Sequence, residues 1–176
     1  FTKEKLTSFD DLKGMKIRAP EIEGVIAGLK QVGAKPTVIP FNELYGALQQ
    51  GVVDGMATLG NLMISQKFYE VTNYCYQNDW GIGLDKQMIN VNAWDGLSKE
   101  QQSILVDTFN ELEPEDFFRA TADAESANFA KWREINGEDS TPMLDASAAQ
   151  RTLKPAIKDL TDDIFGAGTY DKIQSA

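Results

Sequence analysis

Histidine is absent from this sequence, and cysteine occurs once. The first absence excludes a His-containing triad, an imidazole metal ligand and a histidine pH switch. The second excludes an internal disulfide. No run of 18 apolar residues exists, so no segment has the pattern of a membrane-spanning helix. Basic residues are few: 17 Lys+Arg face 27 Asp+Glu, a formal charge of -10. That balance disfavours non-specific attachment to nucleic acid or to an anionic membrane. The sequence also has no Gly-x-Gly-x-x-Gly, no phosphate-loop Gly-Lys-Ser/Thr and no Gly-x-Ser-x-Gly. Nothing pairs a nucleophile with a base, so a binding module fits better than an enzyme.

What is there is ample for a core. Apolar residues make up 42 % of 176 positions, which excludes wholesale disorder. Alternation predicts a strand over 15–18, stopped by Ala19-Pro20. Ile22, Val25, Ile26 and Leu29 then recur at helical spacing, with Gly33 as a C′ residue. Gly24 and Gly28 weaken this helix unless they permit a close approach. The pattern repeats: a strand over 37–39, a helix capped by Asn42 and ended by Gly51, and a strand over 52–57 with a turn at Asp54-Gly55. Strand–helix alternation this tight calls for an α/β fold with parallel strands and right-handed crossovers.

Further along, the spacing predicts a helix over 61–69 and strands over 71–76 and 87–92. Cys75 should be a buried, inert thiol. Ser98 and Gln101 form a capping box, opening a helical pattern to about residue 135, with a bend or break at Pro114. Gly137 ends it. A last helix covers 146–165, with Pro155 inside. The resulting divisions are 1–90 for an α/β ligand-binding region, 91–136 for a return strand and long helix, and 137–176 for a helical C-terminal region. The polar stretch Phe1-Thr2-Lys3-Glu4-Lys5 has no secretory-leader core; a leader was removed, never existed or lay upstream.

In parallel sheets ligands collect at the carboxyl ends of strands. Here those ends are Arg18, Phe41 and Thr58. An arginine there can grip a carboxylate with two parallel hydrogen bonds, or it can be a surface residue paired with Glu21 or Glu23. As a ligand anchor, it should tolerate lysine with little change in the stability of the unliganded protein. Phe41 can wall a pocket or pack on Tyr45. Thr58 can meet a ligand or serve the turn. Trp80, in Asn78-Asp79-Trp80-Gly81, can stack on a ligand or sit at a core edge.

Four stretches carry a family resemblance: Asp10-Asp11-Leu12-Lys13-Gly14-Met15-Lys16-Ile17-Arg18-Ala19-Pro20; Pro40-Phe41-Asn42-Glu43-Leu44-Tyr45-Gly46-Ala47-Leu48-Gln49-Gln50-Gly51-Val52-Val53-Asp54-Gly55; Gln66-Lys67-Phe68-Tyr69-Glu70-Val71; and Asn92-Ala93-Trp94-Asp95-Gly96-Leu97-Ser98. The chain resembles the substrate-binding proteins of tripartite ATP-independent periplasmic (TRAP) transporters, of the dicarboxylate/sialic-acid receptor type. The resemblance implies a type II periplasmic-binding-protein-like α/β lobe, with a long kinked helix and no cofactor. It implies a periplasmic receptor that closes on a small organic acid and delivers it to the membrane permease. Arg18 falls at the family's carboxylate-binding arginine, and Phe41 at an aromatic pocket residue. Where many relatives read Asp-Gly-Gln-Glu-Asn-Pro, this chain reads Asp54-Gly55-Met56-Ala57-Thr58-Leu59, a more apolar loop. The motifs begin partway through the family pattern. The expectation is therefore a C-terminal portion with the first lobe largely missing, completed by that lobe or by another copy in a homodimer. A ligand-incompetent assembly module of the same fold, and less favourably an enzyme on a related sheet, are the rival readings.

Overall fold

The computed structural model describes residues 1–77, 88–111 and 114–175. Three strands form one sheet in the order β2-β1-β3: β1 (Lys16–Ala19), β2 (Lys35–Val38) and β3 (Gly55–Met56). Both pairings are parallel, with Arg18 opposite Thr37 on one side and Met56 on the other. Helix α1 (Glu23–Gln31) connects β1 to β2, and α2 (Leu44–Gln49) connects β2 to β3. The expected α/β alternation is therefore present. The central strand is paired on both edges and begins at the exposed Lys16; its buried residues, from Ile17 onward, are apolar except for Arg18.

Contacts divide the chain into two compact units, one of residues 1–78 and 128–176 and one of residues 79–127. In the first, the sheet lies between two cores. One gathers Ile17 and Ala19 of β1, Leu29 of α1 and Leu153 of α6 (Ala146–Phe165). The other gathers Met56 of β3, Leu44 and Leu48 of α2, Phe68, and Phe129 and Trp132 from the end of α5 (Pro114–Asn136). Strand alternation accounts for the split: Ile17 and Ala19 belong to one core, while Met56, in register with Arg18, belongs to the other.

In the second unit, α3 (Val91–Asp95) is followed by α4 (Lys99–Asn110). The capping box is as expected: the Ser98 hydroxyl accepts from the Gln101 N–H at 3.2 Å, and the Gln101 side chain accepts from the Ser98 N–H at 2.9 Å. Gln102, the buried residue of α4, donates to the Trp94 carbonyl at 2.8 Å. The long helical pattern is two helices, since α4 ends at Asn110 and α5 begins at Pro114. At a first helical position proline loses nothing, because its missing N–H has no intrahelical partner there.

Several local expectations give way. Strand β2 begins at Lys35 rather than residue 37, since an edge strand tolerates Pro36. Strand β3 has two residues rather than six. Asn42 is not a cap; it sits inside a 3-10 turn, Phe41–Glu43, opened by Pro40. Residues 61–69 make two 3-10 turns, Gly60–Leu62 and Phe68–Glu70, because Lys67 adopts a left-handed conformation between them. Over 71–76 only Tyr74 pairs, in a single antiparallel bridge to Thr2. The Cys75 N–H turns away to the Ser140 carbonyl at 2.9 Å, although its thiol is buried as expected. Over 88–92 the Asn90 side chain accepts from the Asn92 N–H at 2.9 Å and caps α3, so helix replaces strand; residue 87 lies outside the described residues.

Gly55 is a strand residue rather than a turn residue. A Cβ there would lie 2.4 Å from the Phe1 carbonyl oxygen, because the first residues of the chain run against β3. Gly24 is different: a Cβ would meet only the Leu160 side chain of α6, at 3.8 Å. Gly55→Ala should lower stability by about 1–3 kcal/mol, whereas Gly24→Ala should raise it by roughly 0.5–1 kcal/mol. Urea denaturation of the two variants checks both signs.

Candidate functional site

Arg18 is third in β1, and parallel pairing on both sides carries the chain ends of β2 and β3 past it. Its side chain is 4 % exposed. Nε donates to the Ile39 carbonyl at 3.0 Å and Nη1 to the Ala57 carbonyl at 3.3 Å, one residue beyond β2 and one beyond β3. The Arg18 carbonyl in turn accepts from the Ala57 N–H at 2.9 Å. Among the described residues it forms no ion pair, so it is not a surface arginine held by Glu21 or Glu23. Burial pulls its pKa down from the ordinary arginine value, yet a guanidinium stays charged at any physiological pH. Two of its five N–H donors point to backbone carbonyls. The remaining three suffice for a bidentate bond to a planar anion.

Phe41 opens the 3-10 turn after β2, and its ring centroid lies 6.0 Å from the Arg18 guanidinium carbon. Its edge meets Phe68, with centroids 6.3 Å apart and planes at 86°. The ring is 42 % exposed. It thus leans on the second core while showing surface beside the guanidinium. Thr58 follows β3 by two residues and is half-buried; its hydroxyl finds no hydrogen-bond partner among the described residues. The structure therefore brings Arg18 and Phe41 together, and places Thr58 next to Ala57, whose carbonyl Arg18 holds. Trp80 lies outside the described residues. A separate cleft of about 490 Å³, lined by Asn73, Tyr74 and residues 136–140, includes none of Arg18, Phe41 and Thr58.

Residue types alone did not reveal the Ile39 and Ala57 carbonyls or the backing ring of Phe68. Main-chain acceptors carry no residue signature, and only the parallel register shows that they converge. A model of the family described as bacterial extracellular solute-binding protein, family 7, matches residues 1–163. The chain belongs to that family. Among its relatives, a C4-dicarboxylate-binding periplasmic protein of Rhodobacter capsulatus is 28 % identical over 97 % of this chain and 51 % of its own length. A monocarboxylate 2-oxoacid-binding periplasmic protein of a Nostoc species is also 28 % identical, over 93 % of this chain and 43 % of its own length. A TRAP periplasmic solute-binding protein of Desulfovibrio salexigens, solved with bound orotic acid, superposes with a TM-score of 0.85 at 27 % identity, covering 98 % of this chain and 56 % of that one. The family resemblance in the motifs and the α/β lobe are thereby borne out. The chain spans about half the length of the relatives it matches.

Arg18 does more for this family 7 chain than its sequence position implied. Because it ties the loops after β2 and β3 to β1, its replacement should not be neutral for the unliganded protein. Arg18→Met should lower stability by about 1–3 kcal/mol, and Arg18→Lys by an intermediate amount. Thermal denaturation without ligand checks this.

Proposed function

We propose that this chain is the acid-gripping part of an extracytoplasmic receptor. In this reading the receptor binds a small organic acid in the periplasm and passes it to the membrane permease of a TRAP transporter, without catalysis. The observation that carries the proposal is a buried guanidinium at the carboxyl end of a parallel sheet, with no acidic partner among the described residues. Such a charge is costly unless something neutralises it. Arg18 would hold the carboxylate, Phe41 would form apolar wall, and Thr58 would give at most one hydrogen bond. Trp80 remains a candidate from its sequence context. Titration calorimetry against a panel of carboxylic acids, on the protein over its full natural length, tests the assignment. Arg18→Lys should weaken binding by about 10-fold or more, since an ammonium cannot reproduce the fork. Thr58→Val should cost about 1 kcal/mol. Equal affinity in Arg18→Lys and wild type would remove the anchor role.

Assembly is the second part of the reading. Helix α4 exposes Ile104, Leu105, Val106 and Phe109, a cluster of apolar side chains of the kind that marks an interaction surface. We propose that the other half of the receptor, or a second copy of this chain in a homodimer, covers it. The 176-residue chain on its own should then sediment as a dimer at micromolar concentration, and Leu105→Glu should shift it to monomer. A wild-type monomer under those conditions would exclude the homodimer. If no acid binds at full length, the assembly role stands alone.

A further inference from the structure

We infer that the acid taken by this site bears a single negative charge on an apolar body, an inference that rests on the receptor reading above. The nine residues that follow the three strands, three after each, form the junctions around Arg18. Of these nine, only Glu21 and Thr58 carry polar side chains. The third residue in each junction is a large, exposed hydrophobe: Ile22 at 54 % exposure, Phe41 at 42 % and Leu59 at 57 %.

Two of those positions run against local preference. Ile22 is the N-cap of α1 and Leu59 the N-cap of the 3-10 turn after β3, and neither can make a side-chain cap bond. Serine, threonine, aspartate or asparagine would stabilise such ends better. Apolar surface is thus presented at equivalent points of all three junctions, and at two of them capping chemistry alone favours a polar group. An apolar ligand body is the occupant whose burial would reward it.

Charge narrows the class further. None of the nine junction residues is a cation, and the positive charge they surround is that of Arg18 in β1. Glu21 and Glu23 follow β1, and Glu43 follows Phe41 by two residues; all three are exposed. A second carboxylate, or the second charge of a phosphate ester, would approach these acidic groups, and none of the nine junction residues is a cation that could meet it. A polyhydroxylated acid would bring several hydroxyls to junctions whose nine residues offer the side chains of Thr58 and Glu21 as polar partners, and a hydroxyl desolvated without a partner binds poorly. Relatives at equal identity take a C4-dicarboxylate in one case and monocarboxylate 2-oxoacids in the other, so overall likeness does not choose between classes, whereas these residues do.

The test is titration calorimetry of the protein over its full natural length with hexanoate, benzoate, succinate and glucuronate. Hexanoate or benzoate should bind at least about tenfold more tightly than succinate and glucuronate. Leu59→Ser, an exposed substitution, should weaken the better apolar acid severalfold. Glu43→Lys should strengthen succinate. Succinate or glucuronate binding as tightly as both apolar acids in the wild type would overturn the inference and leave the receptor reading intact. Binding by none of the four would overturn the receptor reading itself.

Discussion

Arg18 places a permanent positive charge inside the larger unit, and much of the local architecture answers to that constraint. A desolvated guanidinium must have its donors oriented and its charge compensated. Here the compensation within the described residues is dipolar rather than ionic. The Ile39 and Ala57 carbonyls face it from the ends of the two flanking strands, and the Phe41 ring lies near it. Such an arrangement holds the side chain in one orientation without neutralising it. The field of the charge therefore remains available to an anion.

That geometry depends on parallel pairing. Only when β2 and β3 run in the same direction as β1 do the chain ends of all three emerge together, bringing residues 39 and 57 beside residue 18. The two cores maintain the register. One fixes β1 from the side of Ile17 and Ala19 through α1 and α6, and the other fixes β3 from the side of Met56 through α2 and the end of α5. Gly55 admits the first residues of the chain against β3, at a distance no side chain would allow. Asp54 adds a further clamp, its carboxylate accepting from the Lys16 N–H at 2.8 Å while its own N–H donates to the Lys16 carbonyl at 2.8 Å.

The two units differ in how they meet water. Among the described residues, every buried hydrophobic residue lies in residues 1–78 and 128–176, which also expose Ile22, Phe41 and Phe165, while the described part of residues 79–127 buries little beyond Gln102 and leaves the apolar residues of α4 exposed. A single capped helix with an apolar face is a poor stand-alone structure, since most helical stability in proteins comes from packing.

Elements governed by local rules were legible from residue order. The α1 spacing, the Ser98–Gln101 capping box, the stop at Gly137 and the interruption at Pro114 each follow from the backbone chemistry of a few neighbouring residues, and each is present. Arg18 and Phe41 could be singled out because a charged and an aromatic residue at strand ends are chemically conspicuous. Distant contacts settled the rest. Alternation over 71–76 looked like a strand, yet Tyr74 and Cys75 give their backbone groups to Thr2 and to Ser140, far away in the chain. Gly55 reads as a turn residue until Phe1 is seen against it. Arg18 reads from its spacing as a surface residue or an anchor, because burial and the convergence of two main-chain carbonyls are properties of packed strands and leave no trace in residue type. Short-range preference is encoded position by position, whereas partners fifty residues apart are chosen only when the chain closes on itself.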